Sequence, residues 1–295
     1  MKDYTNHRSG FATIFGKPNT GKSTLMNRIL GEKLSITSPK PQTTRYAVKG
    51  ILNTDDEQII FIDTPGFLKP RYEMQERMAK IIDESFKDVD LLIFMSHIQG
   101  FPSDYDMELL SIVEKARSPV IAVMNKLDIT PDYDAQEIIK HLPDNIDDTL
   151  FVSAKTGKGI PELITKISSF MPLHPPYYDE EQLSDLPLRF FAKELIREAI
   201  FHNFRDEIPY STAVLIERYE EREEIIVIRA VIWIERNSQK HIIIGRGGSN
   251  LKKIREYAEE QFSEFVDFPV RIHLHVKVNE NWRKKGTALK ELGFY

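Results

Sequence analysis

Short apolar runs alternate with amphipathic segments of helix length through the first 170 residues. Each apolar run is bounded by charged or turn residues, which is typical of buried strands in a parallel sheet. The predicted strands are residues 11–15, 59–62, 91–95, 120–124 and 150–152, and the predicted helices are residues 23–30, 74–86, 106–116, 135–141 and 160–170. This alternation predicts an α/β fold with a mostly parallel sheet and helices on both of its faces.

The pattern changes after residue 170. Residues 171–187 contain Pro172, Pro175, Pro176 and Pro187 around an acidic stretch, which indicates a linker because proline removes donors and fixes φ. The elements predicted beyond it are a helix at residues 188–204, strands at 213–219 and 225–235, helices before 245 and at 251–265, a strand at 270–278 and a helix at 282–292. We therefore expect a first domain at residues 8–172, a linker at 173–187 and an α+β domain at 188–295.

Composition narrows the classes of function. The chain contains no cysteine, which excludes disulfides, thiolate metal sites and cysteine nucleophiles. No apolar run approaches the roughly 20 residues that span a bilayer, so we expect a soluble, cytoplasmic chain. The net charge is −5, but the part from Leu188 onward carries 19 Lys and Arg against 17 Asp and Glu.

The sequence GKPNTGKS at residues 16–23 matches the phosphate-binding loop (P-loop) pattern between a predicted strand and a predicted helix. Its glycines allow backbone amides to converge on phosphate oxygens, and the helix adds its positive end. Lys22 would reach the β- and γ-phosphates, and Ser23 would bind Mg²⁺. The expected nucleotide contacts here are Gly16, Lys17, Pro18, Asn19, Thr20, Gly21, Lys22, Ser23 and Thr24.

A second motif, DTPG, follows the predicted strand at residues 59–62. Asp63 would hold Mg²⁺, through water, and the Gly66 amide would meet a γ-phosphate. Asp-Thr-Pro-Gly also forms a good plain turn, so its meaning depends on the preceding P-loop. The expected nucleotide contacts here are Asp63, Thr64, Pro65 and Gly66.

The third motif, NKLD, follows the strand at residues 120–124. The Asp128 carboxylate can accept hydrogen bonds from both N1 and N2 of guanine, a donor pair that adenine lacks. Asn125 would tie the base pocket to the P-loop, and the Lys126 stem would cover the base. Ser153, Ala154 and Lys155 follow the last strand, where a backbone amide would meet guanine O6.

In the second domain, GRGG at residues 245–248 lies between two predicted helices. Such a loop admits a sugar-phosphate strand, and nearby basic residues would contact phosphates, as in a type II KH domain. A GxxG sequence alone also forms simple turns. We expect residues 242–244 and Leu251 to serve the core and His273 and His275 to lie on a sheet surface. The expected RNA contacts are Ile244, Gly245, Arg246, Gly247, Gly248, Lys252, Lys253, Arg283 and Lys284.

These motifs resemble the translation-factor-like, Ras-like GTPases, and together with the KH pattern the chain resembles the bacterial Era family from about Phe11 to its end. The resemblance implies a GTP-hydrolysing switch with GTP or GDP and Mg²⁺ as cofactors. It also implies binding near the 3′ end of small-subunit ribosomal RNA, a role in ribosome maturation and peripheral membrane contact. We expect a monomer.

The resemblance assigns further roles. Lys22, Thr44 and Gly66 would be the catalytic residues, and Ser23, Thr44 and Asp63 the metal ligands. Thr43 is the open alternative to Thr44 in the first switch segment. Related GTPases with asparagine at the position of Asn19 can use K⁺, although a turn-forming role for Asn19 is equally open. Phe67 stands where Ras-type proteins have a water-orienting glutamine, which predicts slow intrinsic hydrolysis.

Three other classes of function share parts of this sequence pattern. A GTPase-coupled RNA-modifying enzyme would need a catalytic constellation in the second domain, and its sequence offers no metal cluster or paired carboxylates. A membrane-associated regulatory GTPase also stays open. A metabolic nucleotide kinase is disfavoured because Asn125 and Asp128 specify guanine.

Overall fold

The computed structural model describes residues 4–295, which divide into two compact units. The second unit contains Leu186–Tyr295 together with two short earlier segments, Ile36–Thr43 and Pro70–Arg77. The first unit contains the rest of the described chain. The domain boundaries at residues 172 and 188 stay predictions.

The first unit has a six-stranded sheet in the order β2-β3-β1-β4-β5-β6. All neighbouring strands are parallel except β2, which is antiparallel to β3. The strands are β1 Arg8–Phe15, β2 Val48–Asn53, β3 Glu57–Asp63, β4 Leu91–His97, β5 Val120–Asn125 and β6 Asp148–Phe151. The five predicted strands are present, and the edge strand β2 was missed because Lys49, Gly50 and Asn53 interrupt its apolar pattern.

The five predicted helices are present, four of them between strands of this sheet and the fifth after β6. They are α1 Lys22–Leu30, α2 Glu73–Glu84, α3 Asp104–Val113, α4 Ala135–Ile139 and α5 Ile160–Phe170. The core buries side chains from several elements, including Phe15 of β1, Phe94 of β4 and Leu109 of α3. Since β1, β3, β4 and β5 are parallel, their carboxyl ends lie at one edge of the sheet, where the three sequence motifs begin.

The predicted linker is bonded to the edge of this sheet. Leu183 O accepts a hydrogen bond of 2.9 Å from the Ile51 amide of β2. Lys49 and Asp185 form an ion pair of 2.6 Å, and Gln58 Oε1 accepts hydrogen bonds from the amides of Tyr177 and Tyr178. This segment therefore covers the otherwise open edge of β2.

The second unit has a three-stranded sheet in the order β7-β8-β9, with β7 antiparallel and β9 parallel to β8. Its elements are α6 Leu188–Asn203, α7 Ile208–Ser211, β7 Ala213–Glu221, β8 Ile226–Ile234, α8 Asn237–Ile244, α9 Ser249–Val266, β9 Val270–Val278 and α10 Gly286–Glu291. The short helix α7 was not predicted. The predicted helix at residues 282–292 is interrupted, because a 3-10 turn at Trp282–Lys284 ends in extended backbone at Lys285.

Helix α6 has an unusual row of buried charges that holds the segment Ile36–Thr43. Arg197 pairs with Glu194 at 2.5 Å and donates a hydrogen bond of 2.7 Å to Thr43 O. Glu198 accepts the Thr37 amide at 2.9 Å. Buried charges are tolerated only when they are paired and hydrogen-bonded, and these contacts supply part of that pairing. Among residues 4–295, no helix is both long and apolar enough to cross a membrane.

Candidate functional site: a P-loop with a base-recognition motif

Two glycines of the P-loop are required by close contacts. A Cβ on Gly16 would lie 2.1 Å from Met95 O at the end of β4. Gly21 has φ of 99°, and a Cβ there would lie 2.4 Å from Asn125 Nδ2. The loop is thus in close contact with the ends of β4 and β5. The φ of Gly21 is one that residues with a side chain rarely adopt.

Lys22 is buried at the start of α1. Its ammonium donates hydrogen bonds to Gly16 O at 3.2 Å and Lys17 O at 3.0 Å. Burial lowers the pKa of Lys22 to about 8, although the Asp63 charge opposes this shift. A partly desolvated cation within the curled loop is suited to bind a phosphate group, whose charge would favour the ammonium form.

Three oxygen-bearing side chains converge beside Lys22. Ser23 Oγ donates to Asp63 Oδ2 at 2.7 Å and lies 2.9 Å from Thr44 Oγ1. The other carboxylate oxygen, Asp63 Oδ1, is buried without a hydrogen-bond partner, and burial raises the pKa of Asp63. Hydroxyl and carboxylate oxygens with an unsatisfied acceptor fit a hard cation such as Mg²⁺.

The two candidate switch threonines differ in their contacts. Thr44 reaches Ser23, whereas the Thr43 hydroxyl donates to Lys40 O at 2.8 Å within the segment Ile36–Thr43. This geometry favours Thr44 over Thr43 as the third oxygen ligand.

The DTPG segment packs directly against the P-loop. A Cβ on Gly66 would lie 2.8 Å from Pro18 Cα, and the Phe67 amide donates to Gly16 O at 3.0 Å. The half-buried Phe67 side chain packs on the apolar cluster that contains Phe15 and Phe94. Its ring therefore serves the core rather than the orientation of water.

The base-recognition motif is cross-linked to the P-loop by Asn125. Its Nδ2 donates to Thr20 O at 2.7 Å, and its Oδ1 accepts the Ala154 amide at 2.9 Å. Asp128 is exposed, and its Oδ1 accepts the Ser153 hydroxyl at 2.7 Å. The structure thus brings together the residues that the sequence predicted for phosphate and guanine contacts. Lys126 adopts a left-handed backbone with φ of 71°.

Sequence reasoning missed one residue that supports the base loop. Arg28, in the last turn of α1, donates to Ala154 O at 3.2 Å and to Lys155 O at 2.5 Å. No local pattern marks this contact, since more than 120 residues separate its partners.

The GRGG loop of the second unit is open to an incoming strand. Gly245, Gly247 and Gly248 have φ of 74°, 60° and 81°, and a Cβ on either Gly247 or Gly248 would meet no atom within 4 Å. Arg246, Lys252 and Lys253 are exposed. An exposed glycine-rich loop flanked by cations suits a sugar-phosphate backbone.

The structure changes some details of this region. Ile243 is buried, but Ile242 is 46% exposed, so the prediction of a core role was wrong for Ile242. The reason is geometric, because neighbouring residues of α8 point about 100° apart. Leu251 and Ile244 are half-buried.

The other residues of the second unit that the sequence singled out are not equally accessible to a ligand. Arg283 pairs with Glu235 and lies over the Tyr72 ring, which makes it less available to phosphate than the exposed Lys284. His273 and His275 lie exposed on β9.

Fold and site together define a P-loop GTPase unit followed by a KH unit. A family model described as "50S ribosome-binding GTPase" matches residues 11–126, and a KH domain model matches residues 207–283. GTPase Era of Geobacter metallireducens is 40% identical over 291 residues, covering 97% of this chain and 98% of that protein. GTPase Era of Thermotoga maritima is 41% identical over 291 residues, covering 97% of each. The chain belongs to the Era family of GTPases.

Solved structures agree with this membership. Era in complex with MgGDPNP and nucleotides 1506–1542 of 16S ribosomal RNA is 33% identical, with a TM-score of 0.93, covering 98% of this chain and 99% of that one. A variant of Aquifex aeolicus Era bound to GDP·AlF4⁻ is 33% identical, with a TM-score of 0.92, covering 97% and 99%.

Proposed function

We propose that this chain is a GTP-hydrolysing switch whose KH unit binds single-stranded RNA near the 3′ end of small-subunit ribosomal RNA. The observation that supports GTP binding is the pair of hydrogen bonds by which Asn125 joins the P-loop to the base loop beside Asp128. The RNA half is supported by the open GRGG loop and by the related Era that was crystallised with 16S ribosomal RNA.

The chain's own groups would divide the chemistry as follows. The P-loop amides and Lys22 would bind the β- and γ-phosphates, and Gly66 would offer its amide to the γ-phosphate. Ser23, Thr44 and Asp63 would hold Mg²⁺, which neutralises phosphate charge when bound. Asp128 would accept the two guanine donors, and a backbone amide of residues 153–155 would lie near O6. Hydrolysis would then depend on positioning and charge neutralisation.

We also propose the biological setting that the family suggests. The chain would act in maturation of the small ribosomal subunit, as a monomer in the cytoplasm. It would also contact the membrane peripherally. The proposed division is a GTPase domain at residues 8–172, a linker at 173–187 and a KH domain at 188–295. Co-sedimentation with ribosomal subunits in the GTP-analogue and GDP forms tests the setting, and absence from small-subunit precursors in both forms would contradict it.

Substitution of Phe67 by glutamine is expected to change the intrinsic hydrolysis rate by less than about threefold. The Phe67 ring packs on the core, so the variant loses about 1–2 kcal/mol of unfolding free energy without gaining a positioned water. Single-turnover hydrolysis and thermal unfolding measure the two effects. A rate gain of tenfold or more would show that the missing glutamine limits the rate.

We expect K⁺ to activate GTP hydrolysis. Asn19 is exposed on the P-loop with φ of 64°, where its amide oxygen can help to hold a monovalent cation beside the phosphates. We expect hydrolysis about tenfold faster in KCl than in NaCl at equal ionic strength, with the difference lost in Asn19→Ala. Equal rates in the two salts would leave Asn19 as a turn residue.

Reversing the cations around the GRGG loop tests the RNA half. The triple variant Arg246→Glu, Lys252→Glu and Lys253→Glu is expected to bind an RNA of the small-subunit 3′ end about 10- to 100-fold more weakly, with a shallower salt dependence. These side chains are exposed, so folding is preserved. Lys290→Glu on α10 is the control and keeps RNA affinity. Equal affinity of the triple variant and the control would exclude this loop as the RNA site.

A further inference from the structure

The second P-loop residue, Lys17, makes a buried ion pair with helix α3. Lys17 Nζ lies 2.6 Å from Asp106 Oδ2 and donates to Ser103 Oγ at 3.1 Å. The two charged side chains are only 9% and 0% exposed. A buried pair of this kind is costly to desolvate, so its presence in a phosphate-binding loop requires an explanation.

Capping of α3 does not account for the whole arrangement. A capping box needs only Ser103 and Asp106, and both of its bonds are present: the Ser103 amide donates to Asp106 Oδ2 at 2.8 Å, and the Ser103 side chain accepts the Asp106 amide. The Ser103 hydroxyl also donates to Asp106 Oδ2 at 2.7 Å. Ser96, at the end of β4, adds a bond of 2.7 Å to Asp106 Oδ1. Burial raises the pKa of Asp106, but the bonds from Lys17, Ser103 and Ser96 outweigh it and hold that pKa below its usual range. The carboxylate is therefore ionised at neutral pH.

The backbone around Lys17 connects this anchor to the reacting end of the site. Lys17 O accepts Lys22 Nζ at 3.0 Å and Thr20 Oγ1 at 3.1 Å. The residues on either side of Lys17 contact the end of the DTPG segment and the residue after it. Gly16 O accepts the Phe67 amide, and a Cβ on Gly66 would lie 2.8 Å from Pro18 Cα. Lys17 thus lies between Gly16 and Pro18, the two P-loop residues that contact the loop expected to face the γ-phosphate.

We propose that the Lys17–Asp106 pair is a positioning device for hydrolysis, which fixes the P-loop on β4 and α3 so that Lys22 and the Gly66 amide keep their separation. This inference rests on the proposed GTPase function. Because the ammonium is neutralised by Asp106, Lys17 acts through its main chain and not as a charge on the phosphates. Many backbone amides and the base contacts contribute to nucleotide affinity. Loss of the ion pair therefore lowers mainly the hydrolysis rate and has little effect on the affinity.

The test measures single-turnover GTP hydrolysis and the equilibrium Kd for GDP in matched variants of the full chain. Lys17→Met and Asp106→Asn are each expected to slow hydrolysis by about 10- to 100-fold, with the Kd for GDP changed less than about threefold. The double variant is expected to be no slower than the singles, because both remove one interaction. Lys17→Arg restores the ion pair and recovers most of the rate.

An exposed ion pair of the same type serves as control. Glu137 on α4 and Lys140, the residue after this helix, are 2.7 Å apart, and Lys140 and Glu137 are 68% and 57% exposed. Lys140→Met and Glu137→Gln therefore leave hydrolysis and GDP affinity unchanged. Cooperative thermal unfolding confirms that each variant is folded. If the neutral variants do not fold, Asp106→Glu keeps the charge but shifts the carboxylate by one methylene, and it is expected to slow hydrolysis at unchanged Kd.

Specific results would overturn the proposal. Hydrolysis at the wild-type rate by folded Lys17→Met or Asp106→Asn would contradict it. So would a loss of GDP affinity as large as the loss of hydrolysis rate. If only Asp106→Glu folds, hydrolysis by that variant at the wild-type rate would contradict it. Failure of the wild-type protein to bind or hydrolyse GTP would instead refute the proposed function, so the two failures are distinguishable.

Discussion

Asp128→Asn is expected to weaken GTP binding by about 100- to 1,000-fold, with hydrolysis at saturating GTP much less affected. The proposed role of this carboxylate is to accept two hydrogen bonds from guanine, each worth about 1.5–3 kcal/mol because the acceptor is charged. An amide can accept only one of them and turns a donor toward the other. In the structure Ser153 already orients one carboxylate oxygen, so the second acceptor position is set before the base arrives.

The same variant should gain a new preference. Xanthine carries a carbonyl at the position of the guanine amino group, and the asparagine NH₂ can donate to it, so xanthosine triphosphate is expected to bind Asp128→Asn more tightly than GTP. Asp132→Asn, an exposed change four residues further on, is the matched control and keeps wild-type affinity. Unchanged GTP affinity in Asp128→Asn would place the base elsewhere.

Lys22→Met is expected to abolish measurable hydrolysis, with a rate loss of at least about 100-fold and clearly weaker GTP binding. Lys22 is the one buried ammonium expected to contact both the β- and γ-phosphates, and such charge stabilisation in a water-excluded site contributes several kcal/mol. Lys115→Met, at an exposed position two residues after the end of α3, is the control. Titration with GTP and single-turnover assays measure both effects, and a rate within tenfold of wild type would contradict the assignment.

Lys22 should also reveal a conflict between stability and function. Burial lowers its pKa in the folded protein to about 8 from the ordinary lysine value of 10.5, so the ammonium costs the nucleotide-free fold up to about 3 kcal/mol at neutral pH. That penalty is complete below the folded pKa and disappears as pH rises toward 10.5. The nucleotide-free Lys22→Met variant is therefore expected to unfold at the same temperature as wild type or higher.

The sequence predicts most of the nucleotide site because each motif is local and follows a buried strand. P-loop, DTPG and NKLD residues fall at the carboxyl ends of parallel strands, and the topology of the sheet then brings them together. Helix α5 and strand β9 have the predicted bounds because their apolar periodicity is uninterrupted.

The contacts that the sequence does not reveal join residues that are far apart along the chain. The Lys17–Asp106 pair joins residues 89 positions apart, and the Arg28 contacts join residues more than 120 apart. Neither has a periodic signature, because each depends on where separate loops meet in space. The association of Ile36–Thr43 with α6 is of the same kind, since the buried charges of Arg197 and Glu198 look like an ordinary polar face in the sequence.

The most direct test of the central claim is competitive equilibrium binding of GTP and ATP to the purified wild-type chain in the presence of Mg²⁺. A P-loop coupled through Asn125 to a guanine-accepting Asp128 predicts that GTP binds at least about 1,000-fold more tightly than ATP. Equal affinity for the two nucleotides would contradict the account.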